Sequence, residues 1–181
     1  MTAIVVALTG TDHHPFDRMV RWIDDAAVRL PGVQFVIQHG ASMPPLVATG
    51  YAHIAHDRLV ALLVGASAVV CHGGPGIIME AREAGHVPVC VPRDPKLSEH
   101  VDGHQQRFAA IAGRSGVVRT VTGLESFHTE LDGALERAAA SGTAETTRGQ
   151  RDAARALAAA ELDELLLVRP YRLGRLHRAW R

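Results

Sequence analysis

Short apolar runs that alternate with helix-patterned segments constrain this chain more than any other feature. AIVVAL (3–8), VQFVIQ (33–38), AVVCH (68–72), VPVCV (87–91) and VVRTV (117–121) are each of strand length. The first is continuous and β-branched, the pattern of a strand covered on both faces. After Pro15, the residues Phe16, Met19, Val20, Ile23, Ala26, Ala27 and Leu30 recur at helical spacing, and Pro31-Gly32 stops that helix. Further helices are expected over 57–65, 77–84, 105–112 and 124–140. The stretch 39–55, marked by Gly40, Pro44, Pro45 and Gly50, is expected to be loop with room for a short third strand. Strands separated by helices predict parallel βαβ units and an α/β, doubly wound parallel sheet.

Length and composition bound the rest. With 181 residues, 47% of them hydrophobic, the chain can bury one sizeable core. Residues 1–141 are expected to form a ligand-binding domain. Residues 142–181 are expected to be a linker, a helix near 150–167 and a basic tail. Nineteen Lys and Arg balance nineteen Asp and Glu, so overall charge does not point to nucleic acid. No apolar run approaches the roughly 18 residues of a membrane span. The start MTAIVVALTG lacks a basic n-region, so a cytoplasmic protein is expected. Cys71 and Cys90 sit inside apolar runs and are expected to be buried free thiols. No internal repeat is visible.

A doubly wound sheet binds ligands beyond the carboxyl ends of its strands, near the point where strand order reverses. That rule puts three polar, glycine-bearing stretches on one rim. In TGTDHHPFD, Gly10 permits close approach of a ligand and Thr11 offers a hydroxyl and an N–H, although a simple helix-capping turn would use the same residues. His13 and His14 could titrate, act as a base or bind metal. No second ligand pair at metal spacing accompanies them, so no metal is expected. In CHGGPGIIME, Gly73, Gly74 and Gly76 leave an open helix N-terminus, with Pro75 in the first turn, where a diphosphate is favoured. The glycines match neither GxGxxG nor a P-loop. His72 could donate to a phosphate oxygen or serve as a structural histidine.

Glu80 lies one turn further on. A carboxylate there either faces a ribose diol, which offers it two hydroxyl donors, or is simply an acid favoured by the helix dipole. The third stretch, PRDPKLSEHVDGHQQ, carries Glu99, His100, Asp102, His104 and Gln105. So many neutral donors and acceptors suit a sugar, and equally a solvated loop.

Together, HGGPGIIMEAREAGHVPVCVPRDPKLSEHVDGHQ resembles the nucleotide-sugar motif of the glycosyltransferase family 28 C-terminal domain. GTDHHPFDRMVRWID is similar to a segment of the small donor-binding subunits of split GT-B glycosyltransferases. Those subunits include the cytosolic subunit of the N-glycan UDP-N-acetylglucosamine transferase and bacterial exopolysaccharide counterparts. The resemblance spans most of residues 3–122. It implies a single Rossmann-like half of a GT-B fold that binds a UDP-sugar donor for inverting transfer, without a metal or other cofactor. Gly10 and Thr11 would meet the diphosphate side, His72, Gly73, Gly74 and Gly76 would hold the diphosphate, Glu80 the ribose, and His104 with Gln105 the transferred sugar. Ile77 stands where many relatives carry Ser or Thr.

The resemblance also implies a membrane-associated partner that supplies the acceptor half and the catalytic base. A non-catalytic nucleotide-binding or scaffolding subunit is the alternative. A stand-alone enzyme with His13 or His14 as base is a third reading. The tail RPYRLGRLHRAWR has five arginines and no acid, so it could dock on the partner or an anionic membrane, or simply be a basic end.

Overall fold

The computed structural model describes residues 2–141; the expected linker, terminal helix and basic tail lie outside them. Six strands form one parallel sheet: β1 (Ala3–Leu8), β2 (Val33–Gln38), β3 (Thr49–Tyr51), β4 (Ala68–His72), β5 (Val89–Val91) and β6 (Arg119–Thr120). Their order is β3-β2-β1-β4-β5-β6, so the chain reverses direction across the sheet between β1 and β4. The crossovers carry α1 (Asp17–Arg29), α2 (His56–Gly65), α3 (Pro75–Glu83) and α4 (His104–Arg114), and α5 (Leu124–Ser141) follows β6. The doubly wound α/β sheet is as expected.

Side-chain alternation on the strands builds a layer on each face. Val5, Ala7, Phe35, Ile37, Val70, Val89 and Val91 point to one side, against Met19, Val20 and Ile23 of α1 and Phe127 and Leu131 of α5. Ile4, Val6, Leu8, Val36 and Val69 point to the other, against Leu59, Leu62 and Leu63 of α2 and Ala81 of α3. Cys71, Ile78, Cys90 and Ala109 extend that second layer toward α4. Each large aliphatic side chain so buried contributes on the order of 1.5–3 kcal/mol, which is why α1 keeps the face predicted from its spacing. Cys71 and Cys90 pair across β4 and β5 as buried free thiols.

Boundaries differ from expectation where the backbone lacks partners. Pro88 cannot donate to a ladder, so β5 begins at Val89, although the Pro88 carbonyl still accepts from the Arg119 N–H at 2.9 Å. The edge strand β6 keeps only two of five expected residues, because Val117 N–H returns to the Ala112 carbonyl, closing the end of α4. The third strand exists, paired to β2. The 39–48 loop is pinned to α1: Asp24 accepts from the N–H groups of Leu46, Val47 and Ala48, and Asp17 from that of Met43.

Candidate functional site

The loops that follow β1 and β4 leave the sheet where the strand order reverses, the switch point at which a ligand site is expected. His72, the last residue of β4, lies between Gly10 and Gly74 of the two loops. A side chain on Gly10 would put its Cβ 2.6 Å from His72 Nε2, and one on Gly74 would put it 2.2 Å from Cε1. Both glycines are thus demanded by the imidazole between them, and Gly10 also takes the left-handed backbone at φ +85°. Gly73 closes in a similar way on the Cβ of Gln105, at 2.9 Å.

Gln105, in the first turn of α4, is buried, and its Oε1 stands 3.3 Å from His72 Nδ1. Nδ1–H donates to that oxygen, which leaves Nε2 as a lone pair. Burial pushes the His72 pKa down to about 4, while the Gln105 bond pulls weakly the other way. A neutral ring in this tautomer offers an acceptor at Nε2, and no donor for a phosphate oxygen there. Gln105, placed by resemblance on the sugar, is thus also a hydrogen-bond partner of His72.

The lowered pKa has a sign that can be measured. The unfolded imidazole, with a pKa near 6.5, binds more protons than the folded one, so stability is complete above that pH and falls toward pH 4. Between pH 7 and pH 5 His72 is expected to remove about 2 kcal/mol. Urea unfolding of the wild type and His72→Asn at both pH values tests this. An unchanged difference between the two proteins would exclude a buried neutral His72.

Beyond His72 the chain turns into α3 through Gly74, with Pro75 at its first position. First-turn amides of Gly76 and Ile77 have no intrahelical acceptor by construction, and Gly76 is exposed with open space around it. Thr11 is exposed on the facing loop. Glu80 is half-buried, and its Oε2 is shut from water without a hydrogen-bond partner. A carboxylate oxygen in that state favours an incoming hydroxyl donor.

The rim also contains residues that the motifs did not reveal. Arg93, just past β5, is buried, with its guanidinium 4.8 Å from the Phe16 ring centre. It donates to the carbonyls of Thr9 (2.7 Å), His14 (2.6 Å) and Glu99 (2.8 Å). Burial lowers the Arg93 pKa, and Asp12 and Glu99 oppose that shift. Glu99, itself buried, takes a two-pronged ion pair from Arg18 at 2.9 and 2.7 Å and accepts from Asp94 N–H. No signal in the sequence singles out Arg93, which sits in a proline-bounded loop one residue beyond Pro92.

Of the possible bases, His13 is 85% exposed and stacks 4.0 Å from His14, whereas His14 is largely covered. Asp12 Oδ1 accepts from both the backbone N–H of His14 (2.7 Å) and its ring Nδ1 (2.6 Å). Burial alone would raise the Asp12 pKa, but those bonds, with Arg93 nearby, bring it down to about 2. His104, half-exposed at the start of α4, is held by Asp102 in the same way, at 2.9 and 2.6 Å. A separate cavity of about 350 Å³, lined by Val64, Ser67, His86 and Arg137 among others, lies near the start of β4, away from these groups.

The family model of the glycosyltransferase family 28 C-terminal domain matches residues 10–161. The chain belongs to this family. Two solved structures share the architecture of this family 28 domain. One is the glycotransferase of kitacinnamycin, 19% identical with a TM-score of 0.57, covering 92% of this chain and 42% of that one. The other is CalG4, the calicheamicin glycosyltransferase, also 19% identical, with a TM-score of 0.56 and coverage of 92% and 43%. No curated protein matches. The likeness is one of fold, a Rossmann-like half of a GT-B glycosyltransferase, and the chain spans less than half the length of these relatives.

Proposed function

We propose that this family 28 domain is the donor-binding half of a UDP-sugar-dependent inverting glycosyltransferase in cell-surface polysaccharide or glycolipid synthesis. The observation that carries the proposal is the open N-terminus of α3, directly after β4 at the switch point, together with Glu80 Oε2 on the same helix, buried and unpartnered. The α3 amides would hold the diphosphate, helped by Gly10 and Thr11 on the opposite loop. Glu80 would accept from the ribose hydroxyls. His72 Nε2 and His104 would face the sugar's hydroxyls. In the transfer, an acceptor hydroxyl attacks the anomeric carbon, the bond from that carbon to the diphosphate oxygen breaks, and UDP leaves with the electron pair. The acceptor's proton passes to a base on the other half.

A membrane-associated partner subunit would supply that half, placing the protein at the cytoplasmic face. Among the described residues, no helix is long and apolar enough to cross a membrane. The basic tail could add a peripheral contact. Calorimetry with UDP and UDP-sugars tests donor binding. Glu80→Ala is expected to weaken UDP binding about tenfold or more, by removing a charge-assisted hydrogen bond. Unchanged affinity in that variant, or no binding at millimolar UDP, would refute the assignment. Because the chain spans 42–43% of its structural relatives, a non-catalytic nucleotide-binding subunit is the second reading. Transfer restored by adding the partner favours the enzyme, and a stable but inactive complex favours the subunit.

A further inference from the structure

We propose that the chain's own segment 154–165 seals the cavity at the start of β4, seating Leu162 and Leu165 in it and pairing Glu161 with Arg137. This seal does not depend on the donor assignment. The cavity, about 350 Å³, is bounded by the end of α2, the first residues of β4, the turn from α3 to β5 and the last turns of α5. It lies at the sheet edge opposite the donor rim, because β4 starts there and ends at His72. Its walls leave volume because they are small, with Ala66, Ala84, Ala134 and Ala138 among them. Side chains around such a gap forfeit dispersion contacts. Val64 at its edge, and Val60 one turn earlier on α2, remain 42% and 41% exposed.

Chain continuity and shape select the occupant. Phe127 and Leu131 of α5 are buried on the sheet, whereas Ala138 and Ser141, further along the same face, line the cavity. Ser141 is also where the described residues stop, so the chain continues from the cavity wall itself. Residues 142–149 reach about 27 Å at full stretch, enough to turn back over it. A tether this short gives an effective concentration in the millimolar range, an advantage that no free ligand has. In the segment that follows, Ala154, Ala158, Leu162 and Leu165 recur at i, i+4, i+8 and i+11, one stripe of a helix. Its leucines supply the bulk that the alanine walls lack. The cavity stands at the low end of the roughly 300–1,000 Å³ of small-molecule sites, a size suited to a few aliphatic side chains.

Charge agrees with that choice. Glu161 and Glu164, three residues apart, flank the stripe on one side. Arg137 lines the cavity, and among the described residues no carboxylate is paired with its guanidinium. A carboxylate beside the leucines therefore meets a cation as they enter. The tail RPYRLGRLHRAWR, with five arginines and no acid, would meet the same guanidinium as a like charge and is the poorer occupant.

Amide hydrogen exchange of the full chain, read peptide by peptide at low and high protein concentration, tests the seal. In the double variant Leu162→Asp, Leu165→Asp, exchange over 154–165 is expected to quicken about tenfold or more. Peptides 84–87 and 134–141 from the cavity walls are expected to quicken about tenfold with it, while 72–80 on the donor rim stays unchanged. Arg137→Glu and Glu161→Arg should each speed exchange over 154–165 about threefold, and the two together should restore it. Exchange over 154–165 as fast in the wild type as in the leucine variant would overturn the proposal. So would wall peptides indifferent to the leucine changes, or charge reversals without mutual rescue. Protection that appears only at high concentration would also overturn it, giving the cavity to a second copy of the chain.

Discussion

Replacing Arg93 with leucine is expected to destabilise the protein by about 3–5 kcal/mol, the largest effect of any single change on the rim. Leucine fills part of the volume over Phe16, yet it leaves the carbonyls of Thr9, His14 and Glu99 without their shared donor. It also leaves the buried Glu99 with one cation, Arg18, instead of two nearby. Unsatisfied buried carbonyls cost about 1–3 kcal/mol each, and partial relaxation toward water keeps the total below their sum. Arg93→Lys keeps the charge but not the planar fork that reaches three acceptors, so it should recover less than half of the loss. Urea unfolding at neutral pH measures both. A loss under about 1 kcal/mol for the leucine variant would mean that the three loops do not depend on this guanidinium.

Gly74→Ala is the second large effect, expected to cost about 2–3 kcal/mol although its backbone suits alanine. The penalty arises because the new methyl would meet His72 Cε1 at 2.2 Å, and the ring is held on its other side by Gly10. His72 must then leave its pocket and give up Gln105. In a His72→Ala background the same change should cost less than about 1 kcal/mol, because the space is vacant. Strict additivity across this double-mutant cycle would show that Gly74 is glycine for some other reason. The single variant should also weaken UDP binding about tenfold, since the displaced ring would lie across the open end of α3.

The order of strands and helices was legible because it depends on local periodicity, which α1 displays from Met19 through Ala26. The glycine-rich junction was legible for a related reason, since a strand, a turn and a helix start are adjacent in the chain. Its explanation was only half visible. Gly10 and Gly74 are fixed by the same imidazole, and no spacing rule links residues so far apart. Arg93 in a proline-bounded loop has the look of a solvated residue until the fold closes Phe16 and three carbonyls around it. Arg18 and Glu99 pair across 81 residues, and Asp12 meets His100 over a similar gap. Side-chain chemistry of this kind is set by which loops share the sheet's edge, so it emerges with the topology.

One consequence of the Arg93 brace concerns engineering. Since Arg93, with the Arg18–Glu99 pair beside it, fastens the segment after β1 to the segment after β5, neither can be exchanged alone. A graft of residues 92–105 from a relative with a different donor would carry in a foreign acceptor for Arg18 and a foreign seat for Phe16. Residues 9–18 would have to travel with it. Recombination of specificity among these domains is therefore expected to succeed in two-segment blocks, with β4 and its glycines as the fixed seam between them.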